Sequence, residues 1–322
     1  MRIGIITPSP PQSHSGNRIT AVRWASILRG LGHQVRIAEA YAGEPYEMLI
    51  ALHARRSYSS ARYFHRAHRD RPLVVALTGT DLYHDLPRSR TAQMSLELAT
   101  RIVALQPQAR MELQPRLREK LRVIYQSVSP TGRKSSGSLV SDSVRNFNVC
   151  VIAHLRAIKD PFRAALAARR LPSSSRLRVL HLGAAMTVAM RRRALRETRI
   201  NPRYRWLEDR PRRYVERTLA RCAVCVLSSK AEGGANVLGE AIVSGVPVLA
   251  SRIPGSVGIL GEDYAGYFSV GNTKELTRLF IHAETDGKFL AELRSRCAKL
   301  APLFSPARER EAWRRLLKEL GR

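Results

Sequence analysis

Short apolar runs alternate with longer amphipathic stretches along most of the chain. "RIGIIT" (2–7) is apolar and β-branched, and it stops at the Ser/Pro-rich "PSPPQSHSG". That is the pattern of a strand followed by a loop. In "NRITAVRWASILRGLG", Ala21, Trp24, Ile27, Leu28 and Leu31 recur at helical spacing, and Gly32 is placed to close the helix. Further strands are predicted at 33–40, 46–53, 72–80, 101–105 and 121–127, with helical segments between several of them. The Ser/Gly-rich "SPTGRKSSGSLVSDS" (129–143) has no apolar period and reads as a linker. The alternation then restarts, with strands at 147–155, 177–183, 204–207, 223–229 and 246–251 and helices at 160–171, 188–197, 211–222 and 236–245. From Pro306 one amphipathic helix carries Trp313, Leu316, Leu317 and Leu320 on a face.

This order predicts an α/β protein with two doubly wound parallel sheets, each flanked by helices on both faces. The expected Rossmann-like domains are 1–128 and 146–305, joined by a linker at 129–145, with a final helix at 306–322 packing back toward the first. Two such domains are expected to face each other across a cleft. Ligands bind beyond the carboxyl ends of the strands in such sheets. The loops that matter are therefore 8–18, 53–57, 78–83, 154–160, 183–188 and 229–236.

Composition narrows the partners. The formal charge is +29, from 55 Lys and Arg against 26 Asp and Glu, which fits an anionic partner or an arginine-rich solvated surface. Aromatics are 6% of residues, and no basic stripe interleaved with stacking rings is present, so nucleic acid is not the expected partner. "RRRALRETR" leaves contact with an anionic membrane surface open. No apolar run approaches the roughly 20 residues of a membrane span, and "MRIGIITPSP" lacks the marks of a secretory signal. A cytoplasmic protein without an integral membrane segment is expected. The cysteines Cys150, Cys222, Cys225 and Cys297 are too few for a disulfide scaffold. The C-x-x-C of Cys222 and Cys225 sits in a run read as a buried strand, which would turn the two thiols to opposite faces and away from one metal.

The chemistry-bearing residues cluster in the strand-end loops. In "SSKAEGGANVLGE", Glu232 precedes Gly233 and Gly234, where the backbone can turn and approach a ligand. Ala235 and Asn236 lead into a helix whose N-terminus suits an anion, and Glu240 lies about one turn inside. Two carboxylates for hydroxyls and one anion site suit a ligand with both sugars and phosphates. A turn with a solvated helix-start acid is the plainer alternative. "TGTD" places Thr78, Gly79, Thr80 and Asp81 at a strand end, where Asp81 either orients a hydroxyl or caps the next segment. His53 ends another strand, as a sugar or acceptor contact or as packing. Arg55 and Arg56 follow it, either in a site or on the surface. No D-x-D pair occupies a candidate loop, so no metal is expected, and no G-x-G-x-x-G follows the first strand, so NAD is not expected. "GSVGILG" (255–261) reads as a mobile loop.

E-x7-E followed by "AIVSGVPVLAS" resembles the donor-binding signature of the large retaining group of GT-B glycosyltransferases. "HLRAIKDP" (154–161) is similar to that family's loop after the first strand of the C-terminal domain, and "SGNR" (15–18) to its glycine-containing loop after the first strand of the chain. The resemblance implies that Arg156 and Lys159 hold a donor diphosphate. It also implies that Glu232, Gly233, Gly234, Ala235, Asn236 and Glu240, with Gly16 and Asn17, bind the rest of the donor. Residues Trp206 to Asp209 correspond to the family region near the base. "SGNRITAVRWASILRGLGH", "LIALHARRS", "LTGTDLY" and "HLRAIKDP" together resemble the selenosugar synthases of selenoneine biosynthesis, a group of short bacterial GT-B enzymes. That likeness implies transfer of a sugar from UDP-GlcNAc or UDP-glucose to selenophosphate, with no cofactor. Arg156, Lys159, Glu232, His53 and Asp81 would serve catalysis, and Arg18, Arg55, Arg56 and Thr80 the anionic acceptor. A GT-B transferase with a phosphorylated-sugar or lipid-linked acceptor is the alternative.

Overall fold

The computed structural model describes residues 1–13, 15–79, 81–129 and 146–321, so Thr80 and all of the expected linker but residue 129 lie outside the described residues. The chain divides into two compact units. One comprises Met1–Ser127, Glu232–Asn236 and Leu303–Arg322, and the other comprises Val128–Ala231 and Val237–Pro302.

The first unit is built on six parallel strands, β1 (Arg2–Ile6), β2 (Gln34–Ala38), β3 (Met48–Leu52), β4 (Leu73–Leu77), β5 (Arg101–Ala104) and β6 (Leu121–Val123). They lie side by side in the order β2-β1-β3-β4-β5-β6. All of their pairings are parallel. β3 and β4 are buried along their whole length, as strands covered on both faces must be. The two-residue pleat sorts their side chains. Met48, Ile50 and Leu52 join Trp24 and Leu28 of helix α1 (Gly16–Arg29) on one face. Leu49 and Ala51 join Phe64 of α2 (Tyr58–Ala67) and Leu96 of α3 (Arg90–Leu98) on the other.

Helix α1 stops where its sequence said it would. Gly32, at φ +88°, allows the His33 N–H to reach Leu28 O at 3.1 Å and its own N–H to reach Arg29 O at 2.9 Å. This pair of bonds is a Schellman closure. The last helix of the chain (Pro306–Leu320) belongs to the same unit. Trp313 meets Trp24 edge-on with 4.9 Å between centroids. The buried Glu309 carboxylate accepts from Trp24 Nε1 at 2.9 Å and from the Ser127 N–H at 2.7 Å.

The second unit repeats the plan with β7 (Phe147–Ile152), β8 (Leu177–Leu182), β9 (Tyr204–Trp206), β10 (Val224–Leu227), β11 (Val248–Ser251) and β12 (Tyr267–Phe268). Their order is β12-β11-β10-β7-β8-β9, again all parallel. Its helices are α4 (Arg163–Ala168), α5 (Val188–Ile200), α6 (Arg212–Ala220), α7 (Asn236–Val243), α8 (Pro254–Leu260), α9 (Thr273–Thr285) and α10 (Gly287–Leu300), which makes Pro306–Leu320 α11.

Two expectations are corrected here. "GSVGILG" is not a loop. Pro254 opens α8 at its first turn, Val257, Ile259 and Leu260 are buried, and Gly261 at φ +88° ends it. Burial of its aliphatic side chains outweighs the helix cost of its glycines. Nor do Cys222 and Cys225 share one strand: Cys222 precedes β10, so the strand's alternation does not apply to it, and the neighbouring Cys222 and Cys225 thiols, with burial, raise the Cys150 thiol. All four cysteines are unpaired and buried. No group of three His, Cys, Asp or Glu able to hold a metal occurs among the described residues.

Candidate active site

In each sheet the strand order reverses direction at one place, and the loops beyond the carboxyl ends of the strands open there. In the first unit this place lies between β1 and β3. The loop after β1 enters α1 through Ser15, whose hydroxyl accepts from the Arg18 N–H at 3.4 Å. Gly16 opens the helix, and a Cβ there would meet no atom within 4 Å. Asn17 Oδ1 accepts from the Thr78 hydroxyl at 2.6 Å, which ties this loop to the end of β4. Arg18 is half-buried.

The end of β3 is more constrained. His53 is buried and holds φ +72°, a left-handed conformation uncommon outside glycine. Its carbonyl accepts from the Ser57 N–H at 3.1 Å, and the Ser57 hydroxyl donates to Leu52 O at 2.6 Å, so the turn is held shut. Asp81 is fully buried, with Oδ1 accepting from the Gly79 N–H at 2.8 Å and Oδ2 from the Ala54 N–H at 3.1 Å. It splices the ends of β3 and β4 together. Burial pushes its carboxyl up, against the pull of His53 and those amides. Burial also lowers His53, opposing the attraction of Asp81 and Asp85. His53 Nδ1 accepts from the Arg56 N–H at 3.4 Å, so the ring proton sits on Nε2, facing Asp85 Oδ2 at 3.6 Å. Arg55 and Arg56 are exposed, and Arg55 forms an ion pair with Asp85, Nε lying 3.0 Å from Oδ2.

The segment Glu232–Asn236 packs as part of this same unit. A Cβ on Gly233 would lie 2.7 Å from Gly79 O, and one on Gly234 would lie 2.5 Å from the Leu105 Cβ. The glycine pair is therefore needed for close approach to protein as well as for any approach to a ligand. Glu232 and Ala235 are buried. Asn236 Oδ1 accepts from Arg23 at 3.3 Å.

In the second unit the reversal lies between β7 and β10. The loop after β7 bridges Leu155 to Ala185 beyond the end of β8. Arg156 opens a short 3₁₀ turn, Ala157–Lys159, and is exposed. Asp160 follows in the left-handed region at φ +43°. The Ser228 hydroxyl, beyond β10, faces the carbonyls of Lys159 and Asp160 at 3.1 and 3.0 Å. The Lys230 N–H donates to Ile158 O at 2.8 Å. Two loops thus hold one another, and the basic pair Arg156 and Lys159 sits on a braced backbone. Glu240 lies half-buried on α7, where its charge acts on Arg212 of α6.

Behind this loop stands His181, fully buried. Its Nε2 meets Ala153 O at 3.0 Å, and a carbonyl only accepts, so Nε2 carries the proton and Nδ1 accepts from the Tyr204 hydroxyl at 2.9 Å. Burial lowers its pKa to about 4, with the Ala153 bond a smaller opposing influence. Unfolded, the ring titrates near 6.5. Above that value both states are neutral and the folded state keeps its full stability. Below it only the unfolded chain takes the proton. This unit is therefore expected to lose about 1.4 kcal/mol per pH unit from its urea stability between pH 6.5 and 4 on account of His181. Equal stabilities at pH 6.5 and 4.5 in a urea titration would overturn this.

Residues 143–303, half of the chain, match the family described as glycosyl transferases group 1. The chain belongs to that family, and with two doubly wound parallel sheets it is a GT-B glycosyltransferase. Among solved structures it is similar to HepE of Anabaena in complex with UDP, at 17% identity over 99% of each chain with a TM-score of 0.79. The same protein in complex with UDP-glucose also gives 0.79 at 17% identity, covering 99% of this chain and 100% of that one. Sucrose-phosphate synthase from Thermosynechococcus elongatus gives 0.78 at 13% identity, covering 99% and 98%. At these identities the likeness is one of fold.

Two participants escape the sequence reading. Asp85 and Ser228 each fix a candidate loop, and neither takes a role in that reading, although Ser228 opens the stretch "SSKAEGGANVLGE". Asp85 stands four residues after Asp81, a D-x3-D spacing beside His84 that would have singled it out had a helical turn been expected there.

Proposed function

We propose that this glycosyltransferase moves a hexose from a UDP-sugar, UDP-glucose or UDP-GlcNAc, onto selenophosphate as a selenosugar synthase. The observation that carries the reading is the braced loop with Arg156 and Lys159 at the β7/β10 reversal point, in the half of the chain that matches the family. Such a loop suits a diphosphate, and the solved relatives of this fold include one holding UDP and UDP-glucose. Glu232 and Glu240 are assigned to donor hydroxyls, and the Gly233–Asn236 backbone to the sugar. On the acceptor side, Arg18, Arg55 and Arg56 follow the ends of β1 and β3 and suit an oxyanion.

The chemistry asks little of a base. Selenophosphate is anionic and its selenium is a soft nucleophile. A selenium lone pair forms the bond to the anomeric carbon, and the bond from that carbon to the diphosphate oxygen breaks with its electrons leaving on UDP. Arg156 and Lys159 stabilise the charge that develops there. Water cleavage of the selenium–phosphorus bond then gives phosphate and the selenosugar. His53 and Asp81 act from behind. Their ring and carboxylate atoms are engaged with protein neighbours, so their part is to hold the β3 and β4 ends in shape.

The test measures UDP release from UDP-glucose and UDP-GlcNAc, with and without selenophosphate, and detects product by mass. Release that depends on selenophosphate and yields a selenium-bearing hexose is expected. UDP binding without that turnover would sink the acceptor assignment and point to a phosphorylated-sugar or lipid-linked acceptor.

A further inference from the structure

We propose that Asp85 is a positioning residue that aims the Arg55 guanidinium at a tetrahedral oxyanion beyond the ends of β3 and β4; this rests on the reading that the acceptor is a phosphate-type anion. The geometry begins with an unusual turn. The Leu86 N–H donates to Asp81 O at 2.8 Å, across five residues, and makes Asp81–Asp85 a π-helical turn. Such turns recur at functional sites. In a π turn residues four apart return to nearly the same side, so Asp81 and Asp85 both face His53, and both act on its charge. One takes the backbone of the strand ends and the other takes a side chain.

Asp85 is itself well fixed. Its carbonyl accepts from the Ser89 N–H at 2.8 Å and the Arg88 N–H at 3.0 Å, and its Oδ1 meets His84 Nδ1 at 3.3 Å. The pair with Arg55 is lopsided, since the Asp85 side chain is 11% exposed and that of Arg55 is 47% exposed. A surface pair of two mobile chains would contribute little. Here a held acid pairs with a half-exposed base. The closest approach to Asp85 is at Nε, and the two terminal amino groups of Arg55 make no hydrogen bond among the described residues. They form a planar fork matched to two oxygens of one anion.

The negative charge of Asp85 does not spoil the site. Burial pushes its carboxyl up, but the bonds from Arg55 and His84 outweigh this and keep it ionised. Arg55 balances it, and Arg56 is exposed beside the pair.

The experiment is a double-mutant cycle on phosphate binding, read by isothermal titration with UDP saturating. Arg55→Gln is expected to weaken inorganic phosphate at least about ten-fold and Asp85→Ala about five-fold, with the double variant no weaker than Arg55→Gln alone. That non-additivity is the mark of one residue acting through the other. Losses that multiply, an unchanged affinity in Asp85→Ala, or a wild type that binds no phosphate would each overturn the proposal. Should Asp85→Ala fail to fold, the isosteric Asp85→Asn carries the same cycle. Phosphate binding with the expected cycle but no selenophosphate turnover would keep this assignment and sink the acceptor reading instead.

Discussion

A Gly183→Ala variant is expected to lose about 4 kcal/mol of stability, with a fall in melting temperature of roughly 8–15 °C. Gly183 follows β8 at φ +148°, a conformation that a residue with a Cβ rarely adopts. The added carbon would lie 2.1 Å from Ala153 O, 2.5 Å from the Ala153 carbonyl carbon and 2.8 Å from the His154 nitrogen. None of these can swing aside as the end of a flexible side chain would. The glycine is also pinned, since its N–H donates to Glu208 O at 2.9 Å and its carbonyl accepts from Trp206 Nε1 at 2.9 Å. Relief therefore requires moving the loop at 153–160 or breaking those bonds. The damage reaches the candidate diphosphate loop directly, so UDP binding is expected to fall in the fraction that remains folded. Gly287→Ala is the control. Gly287 starts α10, has no atom within 4 Å of its added Cβ, and is expected to be neutral or to gain up to about 1 kcal/mol. Calorimetric unfolding of the two variants decides the matter, and equal melting temperatures would show that the β8 turn is not held as described.

Arg156→Ala is expected to do the opposite, leaving the fold intact and slowing transfer about 10²–10³-fold. The side chain is exposed and makes no hydrogen bond or ion pair among the described residues. The 3₁₀ turn it opens is held by the Lys159 N–H to Arg156 O bond at 3.0 Å and by the Ser228 hydroxyl beyond β10, none of which uses the Arg156 side chain. Removing the guanidinium should therefore change stability by no more than about 0.5 kcal/mol. The loss is expected in kcat more than in KM, because charge builds on the leaving diphosphate as the sugar departs. Arg156→Lys keeps the charge and loses the fork, so it should recover only part of the rate. Steady-state UDP release for the three proteins is the check. Turnover within three-fold of wild type in Arg156→Ala would remove this residue from the diphosphate site.

Much of this molecule is legible in its sequence. The strand runs were readable because buried parallel strands are continuous apolar stretches, and "MLIAL" and "LVVAL" are that pattern at its plainest. Helix α1 was readable because its apolar spacing and the Gly32 stop agree. The Gly-Gly pair at 233 and 234 advertised a close approach, but what approaches (Gly79 and Leu105, more than a hundred residues earlier) was not encoded nearby. "GSVGILG" misled because glycine content favours a loop locally, whereas the burial that makes it α8 depends on distant partners. Cys222 reads as strand because the apolar run begins two residues before β10 does.

By itself, then, the sequence determined two doubly wound sheets, their order of elements and the loops that carry arginine, lysine and glutamate. Each of these depends on hydrophobic period and turn chemistry within about fifteen residues. Tertiary structure alone decided which atoms those residues spend on one another. Asp81 gives both oxygens to backbone amides, His53 is held in a left-handed turn, Ser228 braces the Lys159 carbonyl, and Asp85 pairs with Arg55. Such pairings form between strand ends far apart in the chain. They follow from which strands lie side by side, and no local pattern records that.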